Sequence, residues 1–125
     1  MLNYNNVLKD ELNHNGLSIR EISPIMKLNL RGKKREFFTT VGKNLNMILP
    51  TEANTSSVSD KLTSIWLSPD EWMIVSNETI QKDNNRYELE ESLYNNISKT
   101  NLGAVTDVTD QFVLLELKGE NIFEL

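Results

Sequence analysis

Apolar and polar side chains alternate from Leu17 to Ile22, the period-two pattern of a half-buried strand. Residues 25–30 continue in extended form after Pro24, and Gly32 ends the run. From Lys33 the spacing turns helical: Phe38, Val41, Leu45 and Ile48 would share one face, with Pro50 closing the segment. Residues 51–60, rich in Ser, Thr and Asn, read as a surface loop. Two short runs follow, Ser64-Ile65-Trp66-Leu67 and Trp72-Met73-Ile74-Val75. Between them, Pro69 presets φ for the second position of a tight turn and Ser68 suits the first, which predicts a β-hairpin.

The second half repeats the mixture. Asn85 followed by Glu88 has the spacing of a capping box, and Leu89, Leu93 and Ile97 then mark one face of an amphipathic helix. Residues 104–108 and 112–117 read as two more strands, broken by Thr109-Asp110-Gln111. Gly119 opens a further helix, with Ile122, Phe123 and Leu125 as its first apolar positions. Residues 1–16 are polar and rich in asparagine, and they read as a loosely held arm ahead of a single domain over residues 17–125. Short strands mixed with two or three helices predict an α+β fold with a mostly antiparallel sheet.

Composition narrows the chemistry. No cysteine is present, which removes disulfides, thiolate nucleophiles and cysteine-ligated metal or iron–sulfur sites. Residues 1–10 have neither a basic start nor an apolar stretch, and no apolar run approaches the roughly 20 residues that span a bilayer. The expectation is therefore a cytoplasmic protein without a membrane partner. The net charge of −5 is uneven, with +4 over residues 1–44 and −9 over residues 45–125. Lys27, Arg31, Lys33, Lys34 and Arg35 hold the basic excess. Such a cluster either lies on a solvated turn or faces an acidic protein surface; overall acidity and the lack of interleaved aromatics argue against nucleic acid.

Catalysis needs a constellation, and none assembles. His14 is the only histidine and stands between two asparagines, the setting of an exposed, idle imidazole. No phosphate-cradling glycine loop and no nucleophile elbow occurs. Asp107 and Asp110, with Thr106 and Thr109, form the densest polar cluster. Two carboxylates in one turn could hold a proton or orient an amine; the same residues in turns routinely bond to backbone N–H groups, which is the favoured reading. Asp70 and Glu71 are read the same way. Trp66 and Trp72 bracket the turn and suit either a core or the centre of an interface.

Several blocks resemble the gamma subunit of heterotetrameric sarcosine oxidase. Lys27-Leu28-Asn29-Leu30-Arg31-Gly32 resembles its "LNLRG" segment, and Leu49-Pro50 with Asn54 its "LP…N" step. Trp66-Leu67-Ser68-Pro69-Asp70-Glu71-Trp72 is similar to its "WLGPDEW" signature, with Ser68 in place of glycine. Ala104-Val105-Thr106-Asp107-Val108-Thr109-Asp110 resembles "AVVDVSD", and Leu117-Lys118-Gly119 resembles "LSG". Members of that family continue for several more elements past the last block.

The resemblance implies the N-terminal part of a folate-binding aminomethyltransferase (T-protein) fold, here shortened. It also implies a place beside alpha, beta and delta subunits in an enzyme that oxidises sarcosine to glycine. FAD, FMN, NAD, zinc and tetrahydrofolate are then expected on the partner subunits, with no cofactor held by this chain. Arg31, Trp66, Pro69, Asp70, Trp72, Asp107 and Asp110 become candidates for structural or contact positions. The alternative is a free-standing folate-binding protein of the same fold, with Asp107 or Asp110 orienting the pterin or amine.

Overall fold

The structure, a computed structural model, describes residues 5–22 and 25–124. Its strands are β1 (Leu12–His14), β2 (Leu17–Ile22), β3 (Lys27–Gly32), β4 (Ser56–Val58), β5 (Leu62–Ser68), β6 (Glu71–Ser76), β7 (Gly103–Asp107) and β8 (Leu114–Gly119). Helix α1 spans Arg35–Leu45 and α2 spans Glu88–Leu93, the latter running into a π-helical turn over Tyr94–Ser98. The chain forms two compact units: Ile25–Thr109, and the two chain ends, Met1–Pro24 with Asp110–Leu125.

In the unit Ile25–Thr109 a five-stranded antiparallel sheet has the order β4-β5-β6-β3-β7. Alternation along β6 sends Trp72, Ile74 and Ser76 to one face, where all are buried. Register places Leu30 opposite Trp72 and Leu28 opposite Ile74, so β3 supplies the same face. Both helices cover it. Phe37, Val41 and Leu45 of α1 recur every four residues and are buried, as are Leu93 of α2 and Ile97 of the π turn. Each such side chain contributes about 1.5–3 kcal/mol by leaving water.

Phe37 explains two glycines. Gly32 and Gly103 are register partners, and a β-carbon on either would collide with the Phe37 ring. The ring lies 5.8 Å from that of Trp72, and Phe38 meets Trp72 edge-on at 5.3 Å. The Trp72 indole N–H donates to the Pro50 carbonyl at 2.8 Å, which satisfies its one polar atom inside the core.

Three expectations shift here. Helix α1 stops at Leu45 because Asn46 takes the left-handed conformation (φ 52°) and its N–H closes onto the Gly42 carbonyl. Ile48 thus falls beyond the helix and is 86% exposed, while Phe37 rather than Phe38 leads the buried face. The expected loop at residues 51–60 contains β4, whose Ser56 pairs with Ile65. The capping box moves by two residues: Tyr87 precedes α2, and its N–H donates to the Glu90 carboxylate at 3.4 Å. Asn84 and Asn85 both have positive φ and form a two-residue turn, across which Asp83 and Arg86 exchange both backbone hydrogen bonds.

The terminal unit is a three-stranded antiparallel sheet, β1-β2-β8. Residues 12–14, expected in the polar arm, pair with β2 through a turn at Asn15-Gly16, where both residues have positive φ. That is the mirror-image turn whose twist suits a hairpin. One face carries Leu12, Leu17, Ile19, Leu115 and Leu117; the other carries Arg20, which meets Glu116 at 2.6 Å. Glu21 is buried, and its carboxylate accepts the Leu8 N–H at 2.8 Å. The strand expected over residues 112–117 begins at Leu114, leaving Phe112 exposed, and the expected helix after Gly119 is a 3-10 turn over Ile122–Glu124. Leu125 lies outside the described residues. The architecture is the α+β class expected from the chain pattern.

Candidate docking surface

The β5–β6 hairpin is apolar on both faces. Its inward side chains, Trp72 and Ile74 among them, enter the core. The intervening residues Ile65, Leu67, Met73 and Val75 point the other way, and register adds Val58 of β4 to them. Ile65 is 38% exposed, Leu67 42% and Val58 70%. Since α1 and α2 both pack on the inner face, no element of this unit covers the outer one. Strands that meet apolar material on both sides read as continuous hydrophobic runs, as residues 72–75 of β6 and 65–67 of β5 do.

Asn29 and Arg31 of β3 border the stripe. The Glu71 carboxylate accepts from Asn29 at 2.8 Å and lies 3.2 Å from the Arg31 guanidinium. The Asn29 hydrogen bond, seconded by Arg31, holds the Glu71 carboxyl below the usual range against the opposite pull of partial burial. Asp70 sits in the turn with Pro69. Its backbone carbonyl accepts the Gly32 N–H at 3.1 Å, tying the turn to the end of β3. Its carboxylate accepts from the Ser68 hydroxyl at 2.8 Å, with Lys33 at 3.7 Å. The hydroxyl bond is the main cause of its lowered pKa.

The basic cluster is therefore heterogeneous. Lys27 is buried, with its ammonium donating to the Ile25 and Thr109 carbonyls; Arg31 and Lys33 face carboxylates. Lys34 and Arg35 are exposed at the N-terminus of α1. That position carries partial positive charge from aligned peptide dipoles, so cations there are unfavourable for the helix itself.

The other candidates lie elsewhere in the fold. Trp66 is the register partner of Trp72 and shares its inner side. It is partly buried, and its indole N–H is buried without a partner, as is the Ser64 hydroxyl two residues before it. Asp107 faces inward opposite Leu28. Its Oδ1 accepts from the Thr109 N–H at 3.0 Å and hydroxyl at 2.6 Å, and its Oδ2 meets Lys82 at 2.7 Å. Burial pushes the Asp107 pKa up, but the bonds from Lys82 and Thr109 outweigh it and the carboxyl ends below its usual range. Thr109 in turn accepts the Lys27 N–H at 3.0 Å, so the cluster clamps the end of β7 to the start of β3. Asp110 is exposed and belongs to the terminal unit. The roles of Asn29 and Lys82 carry no local sequence signal, because each acts on a carboxylate distant along the chain. The apolar runs predicted the hairpin, and the outer stripe follows from its register.

Among the described residues, no helix is long and apolar enough to cross a membrane. No curated protein matches the chain. Among solved structures, it is similar to a chain of heterotetrameric sarcosine oxidase from Corynebacterium sp. U-96 in complex with pyrrole 2-carboxylate. The two share 18% identity at a TM-score of 0.72, over 86% of this chain and 52% of the other. The chain thus spans about half the length of that neighbour, and the likeness is one of fold. Residues 32–125 match the model of the sarcosine oxidase gamma subunit family. With that match over most of its length, this chain belongs to the sarcosine oxidase gamma subunit family.

Proposed function

We propose that the chain is a non-catalytic gamma-type subunit that supports assembly of a heterotetrameric flavoenzyme oxidising sarcosine to glycine, with alpha, beta and delta subunits as its partners. The observation that carries this reading is the outer face of the β5–β6 hairpin, apolar and uncovered within its unit. Ile65, Leu67 and Met73 make its apolar centre and Asn29, Arg31 and Glu71 its polar border, the arrangement of an apolar patch inside a polar rim that protein interfaces share. Lys34 and Arg35, placed where the helix dipole disfavours them, are matched by an acidic partner surface. FAD, FMN, NAD, zinc and tetrahydrofolate are assigned to the partner subunits in this reading.

A free-standing folate-binding role finds less support. It asks Asp107 or Asp110 to orient a pterin or an amine; both oxygens of Asp107 are already engaged by Thr109 and Lys82, and Asp110 is exposed. Co-expression with the flavin- and NAD-bearing subunits, followed by capture on a tag on this chain, tests the proposal. A yellow complex is the expected result, and capture of this chain without any flavoprotein contradicts it. Isothermal titration of the isolated chain with tetrahydrofolate separates the two readings: heat of binding favours the folate role, and a flat trace favours the subunit.

A further inference from the structure

The β1–β2 turn places three groups together that no docking role uses. Asn15 and Gly16 occupy its two central positions, and both are exposed. Of the sixteen asparagines in the chain, Asn15 is the one followed by glycine. The preceding His14 sets its Nε2 at 3.0 Å from the Asn15 side-chain Nδ2. We propose that Asn15 is a site of self-modification, losing its amide nitrogen to give aspartate and isoaspartate.

In the first step the Gly16 backbone nitrogen attacks Cγ of Asn15, forming a five-membered imide. The Cγ–Nδ2 bond breaks, and ammonia departs carrying the proton that Gly16 gave up. Water then adds to one of the two imide carbonyls and opens the ring at that carbon–nitrogen bond. The net change is the amide plus water giving a carboxylic acid plus ammonia, with no oxidant or reductant. Glycine favours the attack because no side chain crowds its nitrogen; a β-carbon on Gly16 would itself meet nothing within 4 Å, so the turn is open to water. The imidazole nitrogen, in contact with the departing nitrogen, is placed to pass the proton across.

Imide closure asks the turn to flex about Asn15, and this part of the fold flexes cheaply. All three residues of β1 are exposed, and β1 pairs with β2 alone. The isoaspartyl product lengthens the backbone where there is no room for it. Gly119 of β8 packs so closely on the Gly16 carbonyl that a β-carbon there would collide with it.

The turn at Asn84-Asn85 is an internal control. It has the same positive-φ geometry, but Asn85 and Arg86 follow its asparagines in place of glycine. The test is to hold the full chain at neutral pH, digest samples over time, and map the peptides by mass for amide loss and for aspartate against isoaspartate. Asn15 is expected to convert while Asn84 and Asn85 remain amides, and His14→Ala, an exposed replacement, is expected to slow conversion about tenfold or more. An Asn15 that persists as long as Asn84 and Asn85 overturns the site, and an unchanged rate in the His14→Ala variant overturns the proton-transfer role.

Discussion

The unit Ile25–Thr109 and the terminal unit are both built on antiparallel sheets, yet among the described residues only the first encloses a core. In the first, α1 and α2 cover one sheet face, and Leu28, Leu30, Phe37, Trp72 and Ile74 are withdrawn from water. In the terminal unit, among the described residues, Glu21 is the sheet residue that is buried, while Leu12 and Leu115 remain about half exposed. A sheet is hydrophobic on one face and must cover it with a second layer, so alternation alone does not make a core. Helical cover, more than strand pairing, separates the two.

That contrast predicts a ranking of effects. Phe37→Ala should cost about 3–5 kcal/mol in urea unfolding, since it empties the site between Gly32, Gly103 and Trp72. Gly103→Ala should cost about 1–3 kcal/mol, because the added methyl meets both that ring and the Arg31 carbonyl. A Gly103→Ala protein as stable as the parent would break the packing argument.

A smaller effect depends on pH. The folded Asp107 carboxyl lies below its ordinary value of 3.8, so the ionised form stabilises the fold at pH above that value. The contribution falls away as pH drops through 3.8 towards the lower folded pKa. Asp107→Asn should flatten the acid limb of a plot of unfolding midpoint against pH, while leaving its slope near neutrality unchanged. The smallest effect belongs to the terminal unit. Glu116→Gln removes a solvent-exposed pairing with Arg20 and Lys118 and should barely move the midpoint. A large loss there would show the terminal sheet to be more tightly coupled to stability than its exposure implies.

Much of this was legible in the chain. The β5–β6 hairpin followed from Pro69 between two apolar runs, and α2 from the spacing of Leu89, Leu93 and Ile97. β4 was hidden because Ser56 and Ser57 carry no hydrophobic alternation; the strand exists through its pairing with β5. The one sign of β1 in the chain is Asn15-Gly16, a strong local hairpin signal, since its polar flanks carry no hydrophobic alternation. Ile48 fitted the helical period, yet Asn46 ended the helix first. For the candidate surface, the sequence showed the apolar runs of the hairpin, but the contact candidates chosen there, Trp66 and Trp72, lie on its inner side. The border of the outer stripe, where Asn29 and Arg31 meet Glu71, depends on register between β3 and β6 and appears only in three dimensions.

The central claim is that the uncovered face of the β5–β6 hairpin binds partner subunits. Replacing Ile65 and Met73 together by aspartate puts two charges into that face, opposite one another in register, without touching the core. Quantitative co-purification with the flavoprotein subunits should then fall to background while the isolated variant unfolds at nearly the parental urea concentration. Undiminished recovery of flavoprotein by the folded double variant would contradict the claim.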